Sequence, residues 1–199
     1  MKRITRRSAL QLIGAAPAAA ALVWTPADAR AAQEQVTRSA AAAQGTPFKP
    51  KFFTAHEYAT VTIFVDLVIP KDGRSGSASE AGVPEFMDFM MIDQPRRQVA
   101  MRGGLALIDH LSIERSGKRF REASAADRRA LLDDIAYTSN PDASLSHAIA
   151  FFSSFRDLTA SGFWTSRMGV ADLQYQGNVF VSEWTGCSEE AVKKIRIAD

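Results

Sequence analysis

Three histidines, His56, His110 and His147, and one cysteine, Cys187, are the side chains of this 199-residue chain best suited to bind a metal or act as base or nucleophile. No two histidines lie within four positions of one another, so none forms the paired face that a helix offers to zinc. His56 falls inside a helix cap, His110 on a polar helix side and His147 near a helix start, all ordinary capping or surface places. A single cysteine rules out a c-type haem site, a Cys-rich iron–sulfur site or a zinc knuckle made by this chain alone. Gly73-Arg74-Ser75-Gly76-Ser77 follows a helical pattern rather than a strand, and lacks the Lys-Ser/Thr of a phosphate loop. No G-x-G-x-x-G opens a helix and no G-x-S-x-G elbow is present. Asp133-Asp134 and Glu189-Glu190 are neighbours in sequence and fit solvated helix faces better than an acid/base pair. The residues therefore predict no catalytic group, cofactor or metal site in this chain.

The elements that would carry these residues are helical. Thr54-Ala55-His56-Glu57 is a capping box, and Val61, Phe64, Val65 and Val68 follow on one helix face until Pro70 ends it. Residues 71–82, rich in Gly and Ser, read as a surface loop. Pro84 suits the first turn of a second helix, with Phe86, Phe89, Met90 and Asp93 sharing a face. A third runs over 96–114 with Met101, Leu105, Ile108 and Leu111 inward. The Gly103-Gly104 pair inside it costs about 1 kcal/mol per glycine, and implies a close neighbouring backbone or a kink. Ser124 to Asp127 caps a fourth helix with Leu131, Leu132 and Ile135 apolar, and Asn140-Pro141-Asp142 is a turn. A fifth covers 144–161, striped by Ala148, Ile149, Phe152, Phe155 and Leu158, with Gly162 as its C-cap. From Phe163 to Cys187 periodicity fades, with a brief strand near Phe180-Val181 the one β signal, and a short helix over 189–195 closes the chain. The expectation is an all-α single domain of five to six helices with an irregular aromatic C-terminal section.

Ahead of that domain, Lys2, Arg3, Arg6 and Arg7 form a basic start, and an alanine-rich apolar stretch runs from Leu10 to Trp24. Arg6-Arg7 resembles a twin-arginine export signal, with Ala9 where such signals often carry phenylalanine. Ala27-Asp28-Ala29 and Ala29-Arg30-Ala31 both fit an A-x-A cleavage site. A permanent anchor is the competing reading, but a span needs about 20 apolar residues, and this stretch is shorter and broken by Pro17. The chain thus divides into a signal peptide (1–31), a flexible linker (32–51) and a helical domain (52–197). The export route predicts a periplasmic protein handed to the twin-arginine translocase already folded. Residues 1–31 hold five of the 24 basic groups and one of the 22 acidic ones, leaving 19 against 21. That balance gives no basic field for nucleic acid or an anionic membrane.

The aromatic C-terminal section holds Phe163, Trp164, Tyr175 and Trp184, followed by Cys187. Aromatics of this kind either cap one end of the core or face a partner protein. We assign Phe163, Trp164, Tyr175, Trp184 and Cys187 to a partner interface. Cys187 in an oxidising compartment is either a buried free thiol or a bond to another chain. A site near Trp164, Arg167 and Tyr175 would serve the alternative, a stand-alone periplasmic enzyme or binding protein.

The blocks Phe53-Thr54-Ala55-His56-Glu57, Asp66-Leu67-Val68-Ile69-Pro70-Lys71-Asp72 and Glu80-Ala81-Gly82-Val83-Pro84-Glu85-Phe86 open a resemblance that runs from Phe53 to Cys187. Gly104-Leu105-Ala106-Leu107-Ile108-Asp109, Gly117-Lys118-Arg119-Phe120, Phe151-Phe152, Phe163-Trp164-Thr165-Ser166, Tyr175-Gln176-Gly177 and Gly186-Cys187 continue it in order. Together they resemble the small subunit, subunit 3, of gluconate 2-dehydrogenase; Trp164 stands where that family more often has tyrosine. The resemblance implies a non-catalytic accessory subunit of an oxidoreductase complex. Its partner would be a large FAD-binding dehydrogenase subunit that oxidises a sugar, sugar acid or alcohol. A multihaem cytochrome c subunit would often complete the complex at the inner membrane. The small subunit would act as chaperone, sharing its export signal with the large one.

Overall fold

Residues 25, 27–34, 48–136, 143–175, 182–183 and 186–187 are described by a computed structural model of the chain. Within them lie seven helices and no strand: α1 (27–34), α2 (Ala55–Val68), α3 (Val83–Asp93), α4 (Gln98–Ser116), α5 (Ala125–Ala136), α6 (Ser146–Thr165) and α7 (Arg167–Asp172). The all-α expectation holds. Arg6, Arg7, Trp184, the turn at 140–142, the Phe180-Val181 segment and the helix expected over 189–195 lie outside the described residues.

Local chemistry sets most of the ends. The Thr54 hydroxyl accepts from Glu57 N at 3.2 Å while the Glu57 carboxylate accepts from Thr54 N at 2.8 Å, so the predicted capping box is complete. Ser124 accepts from Asp127 N at 3.1 Å in the same way at α5. Gly82 enters α3 with φ +82°, and Gly117 ends α4 with φ +73°, both in the left-handed region that glycine enters freely. Pro95 does break the chain, and Pro95–Arg97 forms a 3-10 turn before α4 begins at Gln98.

The hub is α6, which packs against α2, α3, α4, α5 and α7. Phe64 of α2 stacks on Phe155 of α6 with centroids 4.2 Å apart, and Phe120, Phe151 and Phe152 close around it. Two glycines let these rings in. A Cβ on Gly104 would lie 1.9 Å from the Phe151 ring, and one on Gly162 would lie 2.7 Å from the Phe86 ring. The glycine in α4 therefore answers to a ring from α6, rather than to a neighbouring backbone. Gly162 is not a C-cap: it sits inside α6, which runs on to Thr165 because Phe163 is also buried. The helix stops at Ser166, whose extended φ/ψ (−73°, 160°) turns the chain into α7, an element the fading periodicity hid.

Two other expectations change. On α3 the buried face is Val83, Phe86, Met87, Met90 and Met91, with Asp93 exposed. The loop over 71–82 is not simply a surface loop: Ala78 and Ser77 are buried, and the Asp66 carboxylate accepts from Ser79 N and Oγ, each at 2.7 Å.

Asp88 lies on the apolar face of α3 and is buried. Its carboxylate accepts from Lys51 N, Phe52 N and Phe53 N, each at 2.9 Å, and so pins the segment that leads into α2. Nearby, the Tyr58 hydroxyl donates to Glu85 Oε1 at 2.6 Å and ties α2 to α3. Burial, and then the hydrogen bond to the Glu85 carboxylate, push the Tyr58 phenol well above its ordinary value of 10.0.

Removing the Asp88 carboxylate strands buried N–H groups, so Asp88→Ala is expected to cost about 3 kcal/mol in chemical unfolding. The Tyr58 phenol ionises at lower pH in the unfolded chain than in the folded one. Its contribution is therefore complete below about pH 10 and is lost as pH rises beyond that. Unfolding free energies measured from pH 8 to 12 should fall less steeply above pH 10 for Tyr58→Phe than for the parent chain.

Candidate functional site

The α6–α7 corner presents most of the predicted aromatic section. Ser166 builds it: its hydroxyl donates to Phe163 O at 2.6 Å and accepts from Gly169 N at 3.0 Å, ending α6 and starting α7 with one side chain. A Cβ on Gly169 would fall 2.0 Å from Phe163 O, so α7 crosses the end of α6 at a distance only glycine permits. The 71–82 loop braces the far end, where Arg74 donates to Asp172 O at 2.6 Å.

This corner divides the predicted interface residues. Phe163 is fully buried and belongs to the core, which corrects its assignment to a partner surface. Its ring meets Trp164 edge-on at 4.8 Å, and Trp164 is 37% exposed. Tyr175 is 56% exposed and is joined by two residues not predicted, Leu173 at 55% and Val170 at 37%. Trp164 lies near the end of α6, Val170 on α7, and Leu173 and Tyr175 just after it. Cys187 is exposed, so the buried-thiol reading does not hold. Arg167, Val170, Ala171, Gln174 and Tyr175 line an open depression of about 660 Å³. Trp164, named with Arg167 and Tyr175 as an alternative site, is not part of that lining.

A second, smaller cleft of about 190 Å³ lies between α2 and α4. His56 Nε2 and Asp109 Oδ2 lie 2.5 Å apart, and Asp109 Oδ1 accepts from Phe120 N at 3.0 Å. Arg102 donates to both Glu57 oxygens at 2.7 Å and to Phe52 O at 2.7 Å, and lies 4.3 Å over the Phe52 ring. These groups satisfy one another. They tie α2 to α4. His110 pairs with Glu114 on the surface, and His147 is exposed. Among the described residues no three His, Cys, Asp or Glu side chains gather to hold a metal ion, and no helix is long and apolar enough to cross a membrane.

Sequence reasoning missed Asp88, Asp66, Asp109 and Arg102. Asp88 alone left a signal: it falls between Pro84 and Met91 on the buried face of its helix, where an isolated acid must find donors. The others find their partners 11 to 53 positions away, with no local pattern to mark them.

The described residues form a small helical domain with Trp164, Val170, Leu173 and Tyr175 exposed at the α6–α7 corner. Its family follows from the sequence match: residues 55–182 fit the model of gluconate 2-dehydrogenase subunit 3, and the chain belongs to that family, a small subunit of a dehydrogenase complex. No curated protein and no solved structure gives a significant match.

Proposed function

We propose that this chain is the non-catalytic small subunit and export escort of a periplasmic, FAD-dependent dehydrogenase that oxidises a sugar, sugar acid or alcohol. The family match over 55–182 carries the proposal. FAD would sit in the large partner subunit, and a multihaem cytochrome c would take the electrons onward at the inner membrane. The small chain would fold, bind the large one as its maturation partner, and bring it to the twin-arginine translocase through Arg6-Arg7. The exposed set of Trp164, Val170, Leu173 and Tyr175 supports docking at the α6–α7 corner. The exposed Cys187 thiol is open to an inter-subunit disulfide.

The depression lined by Arg167 and Tyr175 supports a second reading, a stand-alone enzyme or binding protein. Its lining of Arg167, Val170, Ala171, Gln174 and Tyr175 contains neither carboxylate nor imidazole to move a proton. A cofactor or turnover in the chain purified alone would favour that reading over the escort.

Replacing Arg6-Arg7 by Lys-Lys should retain both this chain and the large subunit in the cytoplasm, read by fractionation and periplasmic dehydrogenase activity. Full activity in the periplasm would sink the escort reading. At the corner, Leu173→Asp with Tyr175→Ala should shift the chain's own stability by no more than about 0.5 kcal/mol. The same pair should weaken copurification of the large subunit by at least about tenfold, the loss of roughly 1.4 kcal/mol or more of binding.

A further inference from the structure

Helix α1 spans 27–34, across both A-x-A triplets and the start of the expected linker. It is a formed and docked helix. Thr25 Oγ1 accepts from Asp28 N at 3.2 Å and Asp28 Oδ2 accepts from Thr25 N at 3.3 Å, a reciprocal cap. Ala29 and Ala32, three positions apart on one face, are 3% and 1% exposed and join the same core cluster as Phe64 and Phe86. The Asp28 carboxyl is held below its usual range by the Thr25 side-chain and backbone hydrogen bonds, with further lowering by the nearby Arg97 charge and Gln94 side chain. That places α1 by the 3-10 turn between α3 and α4. The helix lies outside the 55–182 match, so the family resemblance did not supply it.

We propose that docked α1 withholds the leader-processing bonds of the folded precursor, so that the leader is removed only from molecules in which α1 has left its seat. The inference rests on the export reading above. A peptidase hydrolyses its bond on exposed, locally unfolded chain; water adds across the amide, leaving a carboxylate on Ala29 or Ala31 and an amine on Arg30 or Ala32. Both bonds lie inside α1, and Ala29, which must enter the peptidase for either cut, is buried against the core. An eight-residue helix does not hold by itself in water, so undocking and melting are one event. Cleavage then follows the population of the undocked form. The cut also removes the capping Thr25 and at least the first three helical residues, so α1 cannot re-form on the mature chain. Processing would thus uncover the core face beneath Ala29 and Ala32 irreversibly.

The test uses the full-length precursor in detergent with a bacterial leader peptidase of A-x-A specificity, followed by intact mass. Ala32→Glu forces a charge into the seat, and Thr25→Ala removes the cap while leaving both triplets intact. Each should be cut about tenfold faster than the parent or more, giving a product that begins at residue 30 or 32. Hydrogen exchange on the parent should show protected amides over 30–34, and both variants should lose that protection. Parent and variants cut at one rate, or an unprotected α1 in the parent, would overturn the masking while leaving the export reading intact. No cleavage in any of the three would overturn the export reading, and the masking with it.

Discussion

The packing of Phe64 on α2 against the rings of α6 is the constraint on which the other elements depend. Phe64 lies 4.2 Å from Phe155 in a near-parallel stack, and it can do so only because α2 and α6 are brought together face to face. The same hub demands room on its other sides. Phe151 fills the space a Cβ would take at Gly104, and Phe86 fills the space at Gly162. Each glycine weakens its own helix by about 1 kcal/mol relative to alanine, and each buried aromatic returns more than that in area removed from water. The interhelical spacing follows from these two seats, and with it the place where α6 ends.

Around this apolar hub, buried and half-buried acids hold backbone rather than substrate. Asp88 gathers three N–H groups ahead of α2, Asp66 holds Ser79 in the loop before α3, and Asp109 takes Phe120 N and His56. A carboxylate buried in this way is stabilising only while its donors stay in place. Such groups therefore fix loops onto helices and leave little freedom for proton transfer. These interior carboxylates hold shape, while Trp164, Val170, Leu173 and Tyr175 stand exposed around the α6–α7 corner, as Val99 and Ile113 do on α4.

The α6–α7 corner and α1 are two of the places where shape and sequence part. At the corner, Ser166 and Gly169 allow a six-residue helix to fold back on α6, a length too short to show a hydrophobic period. At α1, Ala29, read as a cleavage-site residue, and Ala32, read as the start of the linker, turn out to pack like core residues. Small side chains suit both roles, so composition could not separate them. Phe163 and Trp164 make the same point in adjacent positions: one is buried and the other is open to solvent.

The sequence by itself determined the helical class, the caps at Thr54 and Ser124, the break at Pro95 and the buried stripes of α2, α4, α5 and α6. These rest on interactions within a few residues, or on a period that one helix imposes on its own side chains. The family was legible too, because its blocks recur in order along the chain. Only the tertiary structure decided why Gly104 and Gly162 are glycines, where α6 stops, that Asp88 is an anchor, and which aromatics face water. Those outcomes depend on which surface of a distant helix arrives opposite a given residue. The period of one helix carries no record of that, since the partner is chosen by the packing of the whole hub.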